Sequence, residues 1–268
     1  MKLINAVTLA QAWLDACVHL RNCPGAMDTT VVLNVTEPTL VRPQDDSIAE
    51  SLDAFLVEHG GFSNHTVAET IFPGYEYVHR GIDGVYNVYP NVIYPKIKDH
   101  PDMRHWGAYA YRLLRRQAHD GTTYNPLERC IEKMKDKRPK RAAYEVGLGF
   151  GFDLALYDDD SDRNARMGGP CLSHLSFKLI NDRIHLTALY RSHYYIQRAY
   201  GNLLGLARLQ AFVAEQVNVA SGPLVCHSTM AVLEHGAGAH WTKNEVSTLI
   251  SRCEELTIRT AATQLVAS

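Results

Sequence analysis

Residues 172–192 read LSHLSFKLINDRIHLTALYRS, two runs of alternating apolar and polar residues on either side of Asn181 and Asp182. Alternation with a period of two is typical of a half-buried strand, and an Asn-Asp pair suits the left-handed backbone of a two-residue turn. The segment therefore predicts a β-hairpin. Cys171 directly precedes this hairpin and Arg191-Ser192 ends it, so the hairpin returns the chain to the cysteine.

The next segment, residues 195–217, is largely apolar and predicts a long helix, and a helix that is apolar on all sides is normally buried. Residues 74–104 are rich in Tyr, Pro and Gly without a clear period, which favours an ordered loop. The remaining predicted elements are helices over 1–22, 47–61, 105–117, 125–137 and 242–256, and strands over 29–38, 141–150 and 222–234. We expect an α+β fold in a single domain spanning 1–268, with an N-terminal helix over 1–22 and a core over about 30–256.

Composition limits the classes of partner and compartment. The net charge of −2 creates no field that would recruit nucleic acid or an acidic membrane. No run approaches the roughly 18 apolar residues of a membrane helix. The six cysteines are scattered without a CxxC pair. We therefore expect reduced thiols, a cytoplasmic location and no bound metal, nucleic acid or membrane.

Taken alone, Cys171 is compatible with two roles, a reactive nucleophile or a small apolar side chain in the core. The second role is common, because free cysteines are among the most buried residues in proteins. Its neighbours favour a reactive thiol, since a nearby guanidinium such as that of Arg191 stabilises the nucleophilic thiolate. Arg191 and the hydroxyl of Ser192 also suit a phosphate monoester. Asn202 follows Arg191 by eleven residues in an otherwise apolar stretch of helix. Its amide can match one edge of a nucleobase or satisfy a neighbouring backbone group.

The block GPCL…ALYRSHYYIQRAYGNLLGL (169–206) resembles the thymidylate synthase and pyrimidine-nucleotide hydroxymethylase superfamily. That superfamily has a Pro-Cys nucleophile, a hairpin, an Arg-Ser pair at this spacing, and Asn or Asp at the position of Asn202. GAYAYRL (107–113) is similar to a tyrosine-containing family segment, with Tyr109 at the tyrosine. LERCIEKMKDKRPKRAAY (127–144) is similar to a family helix that an arginine pair follows, here Lys140-Arg141. Glu69 in VAETIF falls where the family carries a glutamate.

The resemblance covers about residues 30–235 and implies a fold and a chemistry. The fold is a mixed sheet packed with helices that forms a homodimer through the sheet. The chemistry is one-carbon transfer from 5,10-methylenetetrahydrofolate to C5 of a pyrimidine nucleoside monophosphate, after a thiolate has added to C6. The implied roles are Cys171 as nucleophile, Glu69 and Tyr109 in proton transfer, Arg191, Ser192 and a partner-derived Arg141 on the phosphate, and Asn202 on the base.

Some family features differ in this chain. Tyr194 stands where synthases carry an aspartate after Arg-Ser. The family's His-x-Tyr motif binds the sugar hydroxyl, and its counterpart in this chain falls at Met230, Val232 or Glu234. His227 and Glu234 are the candidates to make the sugar contact in its place. The tryptophan and C-terminus that favour hydride over water also lack counterparts here. These departures favour a hydroxymethyl over a methyl product, and an asparagine at 202 favours uracil over cytosine.

Three alternatives remain open from the sequence. The first is a family member acting on a ribonucleotide or a modified base, which the altered sugar segment supports. The second is a nucleotide-binding protein that has lost catalysis, although a binder needs no thiol. The third is an unrelated cysteine hydrolase, which the position of His174 on the opposite strand face disfavours.

Overall fold

The computed structural model describes residues 1–100, 107–118, 120–135, 153–158, 162 and 169–267. Its strands are β1 (Lys2–Ala6), β2 (Met27–Val35), β3 (Arg116–Gln117), β4 (Thr123–Tyr124), β5 (Asp153–Ala155), β6 (Leu172–Ile180), β7 (Arg183–Tyr190), β8 (His193–Tyr194) and β9 (Ala220–Val232). Its helices are α1 (Leu9–Arg21), α2 (Pro43–Glu58), α3 (Asn64–Glu69), α4 (Gly74–Asp83), α5 (Tyr94–Ile97), α6 (Tyr109–Leu114), α7 (Pro126–Lys135), α8 (Tyr200–Val217) and α9 (Lys243–Ala267). Turns of π-helix over Gly84–Ile93 and Tyr195–Ala199 lead into α5 and α8.

The main sheet is mixed. Its strand order is β1-β2-β9-β7-β6-β5, and β8 pairs beside β9. β1 runs parallel to β2 and β7 parallel to β9, whereas β2–β9, β6–β7 and β5–β6 are antiparallel. β3 and β4 form a separate two-stranded sheet. The predicted α+β class, with a mixed sheet packed against helices, is confirmed.

The predicted hairpin is confirmed as β6 and β7. Asn181 and Asp182 have φ values of 50° and 55°, the two left-handed residues of a tight turn between twisted strands. Leu172 lies opposite Tyr190 at the open end of the hairpin. The backbone N–H of Arg191 then donates to the carbonyl oxygen of Cys171 at 2.9 Å. The hairpin therefore places Arg191 directly beside the cysteine.

The long apolar helix is also confirmed as α8, which is buried between the sheet and α3. Two of its glycines lie against α3 without space for a side chain. A Cβ at Gly201 would stand 2.6 Å from Cβ of Val67, and one at Gly205 would stand 2.8 Å from the carbonyl oxygen of Ala68. This close approach carries the end of α3 toward the open end of the hairpin.

Three sequence predictions need correction or lie outside the described residues. The N-terminal helix does not begin at residue 1, because residues 2–6 form β1, which pairs with β2. Residues 74–97 are helical rather than a loop, with Pro90 inside a π-helical turn. The strand predicted over 141–150 lies outside the described residues.

Among the helices that the structure describes, none combines the length and the apolar character needed to cross a bilayer.

Candidate active site

A cavity of about 740 Å³ opens at the end of the β6–β7 hairpin. Four of the residues to which the resemblance gives a catalytic or binding role line it: Tyr109, Cys171, Ser192 and Asn202. Tyr109 is the first residue of α6, Cys171 directly precedes β6, Ser192 follows β7 by two residues, and Asn202 lies in the first turn of α8. We name this space the thiol cavity. The fold therefore brings together side chains that are up to 93 positions apart in the chain (from 109 to 202).

Cys171 is half-buried, so its sulfur can meet a ligand in the cavity. The hydroxyl oxygen of Tyr109 accepts hydrogen bonds from the backbone N–H of Cys171 at 3.1 Å and of Leu172 at 3.2 Å. Burial raises the pKa of Tyr109 well above its ordinary value, so this hydroxyl keeps its proton at neutral pH. Tyr109 thus holds the backbone that carries the thiol, and its role in proton transfer stays a prediction.

Arg191 lies behind the cysteine rather than on the wall of the thiol cavity. Its Nε donates to the carbonyl oxygen of Pro170 at 3.0 Å, and Nη2 donates to that of Gly169. A guanidinium has five N–H donors, so these two bonds leave further donors for a ligand. The side chain therefore ties down the residues that lead into Cys171, and its contact with phosphate stays a prediction.

Asn202 is buried and belongs to a chain of side-chain hydrogen bonds. Its Nδ2 donates to Nε2 of His193 at 3.0 Å. Nδ1 of His193 lies 3.0 Å from Oγ of Ser228, and this hydroxyl lies 3.2 Å from that of Tyr195. Because Nε2 accepts from the amide, the proton of the neutral imidazole is on Nδ1 and is donated to Ser228.

His193 stays uncharged in this setting. Complete burial lowers its pKa to about 3, and its ring stacks on Tyr190 with centroids 4.0 Å apart and planes 3° apart. The stack on Tyr190 restrains the imidazole ring, and with its proton on Nδ1 the ring holds the Nδ2 group of Asn202 at Nε2. Oδ1 and the second N–H of Asn202 remain to meet a ligand in the thiol cavity.

Glu69 lines an adjoining cavity of about 360 Å³, and it is not on the wall of the thiol cavity. Its carboxylate accepts from the backbone N–H of Tyr75 at 3.2 Å and from Nη1 of Arg208 at 3.2 Å. Burial raises the pKa of Glu69 above its ordinary value. The two cavities share Thr70, Ala108 and Arg198, so Glu69 is next to the thiol cavity without lining it. Its role in proton transfer stays a prediction.

Two charged residues of the thiol cavity were not assigned a firm role from the sequence. Arg198 is the one Arg or Lys among the described residues that line it. The guanidinium of Arg198 lies 5.5 Å from the ring centroid of Phe62. Its position one helical turn before Asn202 was the available signal. That signal is weak, because only the folded structure shows that the helical turn carrying Arg198 faces the thiol cavity.

The second charged residue of the thiol cavity is Glu234, which lies two residues after the end of β9. Its carboxylate is buried and accepts from the backbone N–H of Gln197 at 2.7 Å and of Ile196 at 3.2 Å. Burial raises its pKa to about 7, against the lowering effect of these donors. Of the three candidates for the sugar contact, Val232 and Glu234 line the cavity and Met230 does not.

The remaining sequence candidates lie elsewhere. Arg141 is outside the described residues. His227 is on β9 but is not on the wall of the thiol cavity. His174 is 3.9 Å from the carboxylate of Asp153 and also does not line the cavity, so the structure does not place it for a cysteine hydrolase.

No family model matches the chain. Curated archaeal proteins do match part of it. A "Putative thymidylate synthase" of Methanococcoides burtonii is 38% identical over 119 residues, which are 44% of this chain and 49% of that protein. Proteins with the same name from Methanosarcina mazei (35% identical, 43% of this chain and 47% of that protein) and Methanothermobacter marburgensis (33% identical, 46% and 48%) also match.

The resemblance to the thymidylate synthase superfamily is confirmed. The chain spans about half the length of the curated relatives it matches. The side chains expected from the resemblance as nucleophile, phosphate-binding hydroxyl and base-binding amide, which are Cys171, Ser192 and Asn202, line one cavity.

Proposed function

We propose that the protein transfers a one-carbon unit to C5 of a uracil-type pyrimidine nucleoside monophosphate, with a hydroxymethyl product favoured over a methyl product. The observation that carries this proposal is that the thiol of Cys171 and the oriented amide of Asn202 line the same cavity. A volume of about 740 Å³ lies within the range of small-molecule sites.

Cys171 supplies the nucleophile in this proposal. Its Sγ bonds to C6 of the pyrimidine, and the electron pair of the C5–C6 double bond moves toward C5 and O4. C5 becomes nucleophilic and bonds to the one-carbon unit, and loss of the C5 proton releases the carrier from that carbon. Water then adds to the transferred carbon to give the hydroxymethyl group, and Sγ leaves C6 as a thiolate, which restores the C5–C6 double bond. One difficult step is thereby divided into easier ones.

Asn202 recognises the base. Uracil presents a donor at N3 and an acceptor at the 4-position, whereas cytosine presents the reverse. An amide that could rotate freely would accept either base. Because His193 holds the Asn202 amide in one orientation, the site can distinguish the two.

Methylenetetrahydrofolate is the proposed carbon donor, and the aromatic lining of the adjoining cavity supports this assignment. That cavity is lined by Tyr75, Tyr89, Ile93 and Ile97, and aromatic side chains bind flat heterocycles by stacking. When bound, the folate supplies the methylene carbon. Arg198 and Glu69 line this cavity, and Arg198 also lines the thiol cavity.

The reaction product tests the proposal directly. Each of UMP, dUMP, CMP and dCMP is incubated with methylenetetrahydrofolate and the purified protein, and the nucleotides are analysed by mass spectrometry. A mass gain of CH₂O identifies hydroxymethyl transfer, and a gain of CH₂ identifies methyl transfer. No gain with any of the four contradicts the proposal.

A folate-independent assay separates an enzyme from a pure binder. Thiolate addition makes the C5 hydrogen exchangeable with solvent, so tritium at C5 should be released without folate. Cys171→Ala should abolish this release and retain nucleotide affinity, as measured by calorimetry. Release that persists in Cys171→Ala would remove the nucleophile assignment, and wild-type binding without release or turnover would favour the binder.

A ribonucleotide substrate is the second candidate, and the position of Glu234 favours it. A carboxylate is a common acceptor for ribose hydroxyls. Glu234 lines the thiol cavity and is one of the three candidates for the family's sugar-binding segment. Under this alternative, UMP reacts faster than dUMP, and Glu234→Gln reduces that preference. A dUMP preference in the wild type would exclude it.

We also propose a homodimer formed through the sheet. Val32, His227 and Leu189 lie side by side across β2, β9 and β7 and are half-buried, while their strand neighbours Leu33, Cys226 and Ala188 are fully buried in the core. Leu189→Arg should yield a monomer by light scattering, and a wild-type monomer would contradict the proposal.

Active-site sharing across this dimer has its own test. If Arg141 comes from the partner, mixing inactive Cys171→Ala and Arg141→Ala chains restores one intact site in each mixed dimer. Random exchange then gives about a quarter of the wild-type activity per chain. No recovery after verified exchange would place Arg141 outside the partner's site.

A further inference from the structure

Three potential metal ligands meet at the end of α1. Among the residues that the structure describes, His19, Cys23 and Asp28 form the one group of three or more such side chains whose ligand atoms all lie within 4.8 Å of one another. Nε2 of His19 is 3.5 Å from Sγ of Cys23 and 2.7 Å from Oδ2 of Asp28. All three side chains are half-buried.

This ligand set has the chemistry of a zinc site. Imidazole nitrogen, thiolate sulfur and carboxylate oxygen are the three protein ligand types that Zn²⁺ takes. A nitrogen and a sulfur bound to one tetrahedral zinc stand about 3.6 Å apart, from the usual bond lengths. The observed separation of 3.5 Å between His19 and Cys23 matches this value. The 2.7 Å between Nε2 of His19 and Oδ2 of Asp28 is a hydrogen-bond distance, and it must widen to about 3.4 Å when both atoms bind one tetrahedral zinc.

The fold explains how the ligands meet. His19 lies in the last turn of α1, and Cys23 follows two residues after the end of that helix. The backbone N–H of Cys23 donates to the carbonyl oxygen of Leu20 at 3.0 Å, which holds Cys23 against the last turn. Asp28 joins them from the start of β2, after a turn over Pro24–Ala26. The sequence shows no CxxC pair, and the carboxylate ligand is recognisable only from the folded arrangement.

We propose that His19, Cys23 and Asp28 bind a zinc-class divalent metal ion, with water in the fourth position. The site lies beside the thiol cavity, because Gly25 and Met27, between the ligands, line that cavity. A bound ion links the end of α1 to the start of β2 and stabilises the turn that forms this part of the wall. The proposal is independent of the one-carbon chemistry.

Cobalt substitution tests the site on the full-length protein. Protein freed of metal by chelator is titrated with Co²⁺ and followed by absorption spectroscopy, and Zn²⁺ affinity is measured by competition with a chromophoric chelator. We expect one ion per chain and a near-ultraviolet band from thiolate-to-cobalt charge transfer. Absence of that band or of Zn²⁺ binding would overturn the proposal.

Variants assign the band to its ligands. Cys23→Ser should abolish it, and His19→Gln and Asp28→Asn should each weaken Zn²⁺ binding by at least about tenfold. Cys171→Ser is the matched control, since it removes the half-buried thiol of the neighbouring cavity, and it should leave the band unchanged. A band that survives Cys23→Ser, or disappears in Cys171→Ser, places the ion elsewhere and contradicts the proposal.

Thermal denaturation gives a second readout that does not depend on cobalt. A ligand that binds only the folded state raises its melting temperature. Zn²⁺ should therefore raise the Tm of the wild type and leave that of Cys23→Ser unchanged. An equal shift in both proteins would contradict the assignment.

Discussion

The Asn202 amide donates to Nε2 of His193 at 3.0 Å, and this bond determines which of its polar groups face the thiol cavity. His193 can accept because burial keeps it neutral, with a pKa lowered to about 3. Its own proton is directed to Ser228. His193 itself does not line the thiol cavity, so under the proposed function it would act on the base only through Asn202.

Replacing His193 by Phe should relax the choice between bases. Phenylalanine keeps the flat ring stacked on Tyr190 but removes the acceptor for Asn202. The amide can then rotate, and the ratio of kcat/KM for uracil over cytosine nucleotides should fall about five- to tenfold, the value of one neutral hydrogen bond. Steady-state kinetics with both substrates measure this ratio.

Tyr195→Phe is the matched control for that variant. It removes the hydroxyl beyond Ser228 and leaves the bond between His193 and Asn202 in place. Its base preference should remain close to that of the wild type. A folded His193→Phe protein with an unchanged ratio would show that His193 does not set the orientation of Asn202.

Replacing Tyr109 by Phe should affect the position of the thiol as well as turnover. Two backbone N–H groups lose their acceptor, and each buried donor left unsatisfied costs about 1–3 kcal/mol. We expect a loss of unfolding free energy of about 2 kcal/mol or more, measured by urea denaturation, together with slower C5 hydrogen exchange.

Alkylation of Cys171 by iodoacetamide distinguishes the two roles of Tyr109. If Tyr109 positions the thiol, the alkylation rate and the exchange rate change together. If it serves only in proton transfer, exchange slows while alkylation proceeds at the wild-type rate. We expect the first result, and the second would contradict a positioning role.

Local patterns predicted the hairpin and the long helix because both depend on short-range periodicity and turn chemistry. β1 was missed because its strand identity comes from pairing with β2, about 29 positions away in register (Lys2 with Val31). Residues 74–97 were missed because their helices contain Pro90 and Gly81, which usually interrupt helices.

The site was predicted where its residues depend on short-range sequence patterns and missed where they depend on long-range packing. Cys171 and Ser192 follow from the hairpin, and Asn202 from its spacing in the next helix. The location of Glu69 depends on its ion pair with Arg208, 139 positions away. The cavity-facing positions of Arg198 and Glu234 likewise depend on long-range packing that no local pattern reports.

Glu234 should make stability depend on pH. Its pKa is about 7 in the folded protein, against 4.5 ordinarily, because burial disfavours the carboxylate. The folded protein therefore keeps a proton that the unfolded chain releases, and this group's contribution to stability falls as the pH rises from about 4.5 to 7. Between pH 5 and 8 the loss is on the order of 2 kcal/mol.

Glu234→Gln removes this dependence, because an amide does not titrate. Relative to the wild type, the variant should gain stability as the pH rises from about 5 to 8, in urea denaturation at each pH. Glu58→Gln, at an exposed glutamate, is the control, and its unfolding free energy should change with pH as that of the wild type does. A constant difference between Glu234→Gln and the wild type would contradict the raised pKa.

Gly205→Ala should destabilise the protein, and the sign of the effect is diagnostic. In a helix interior, alanine is ordinarily more stabilising than glycine by about 0.5–1 kcal/mol. Here the new Cβ would stand 2.8 Å from the carbonyl oxygen of Ala68 and 2.9 Å from Cβ of Ile71, so α3 must move away from α8. Overpacking of this kind costs about 1–3 kcal/mol, measured by urea denaturation.

Because α3 leads directly to Thr70 on the wall of the thiol cavity, nucleotide affinity should fall as well. A variant as stable as the wild type would show that α3 yields to the methyl group, and the packing of these two helices would then not determine the position of the cavity wall.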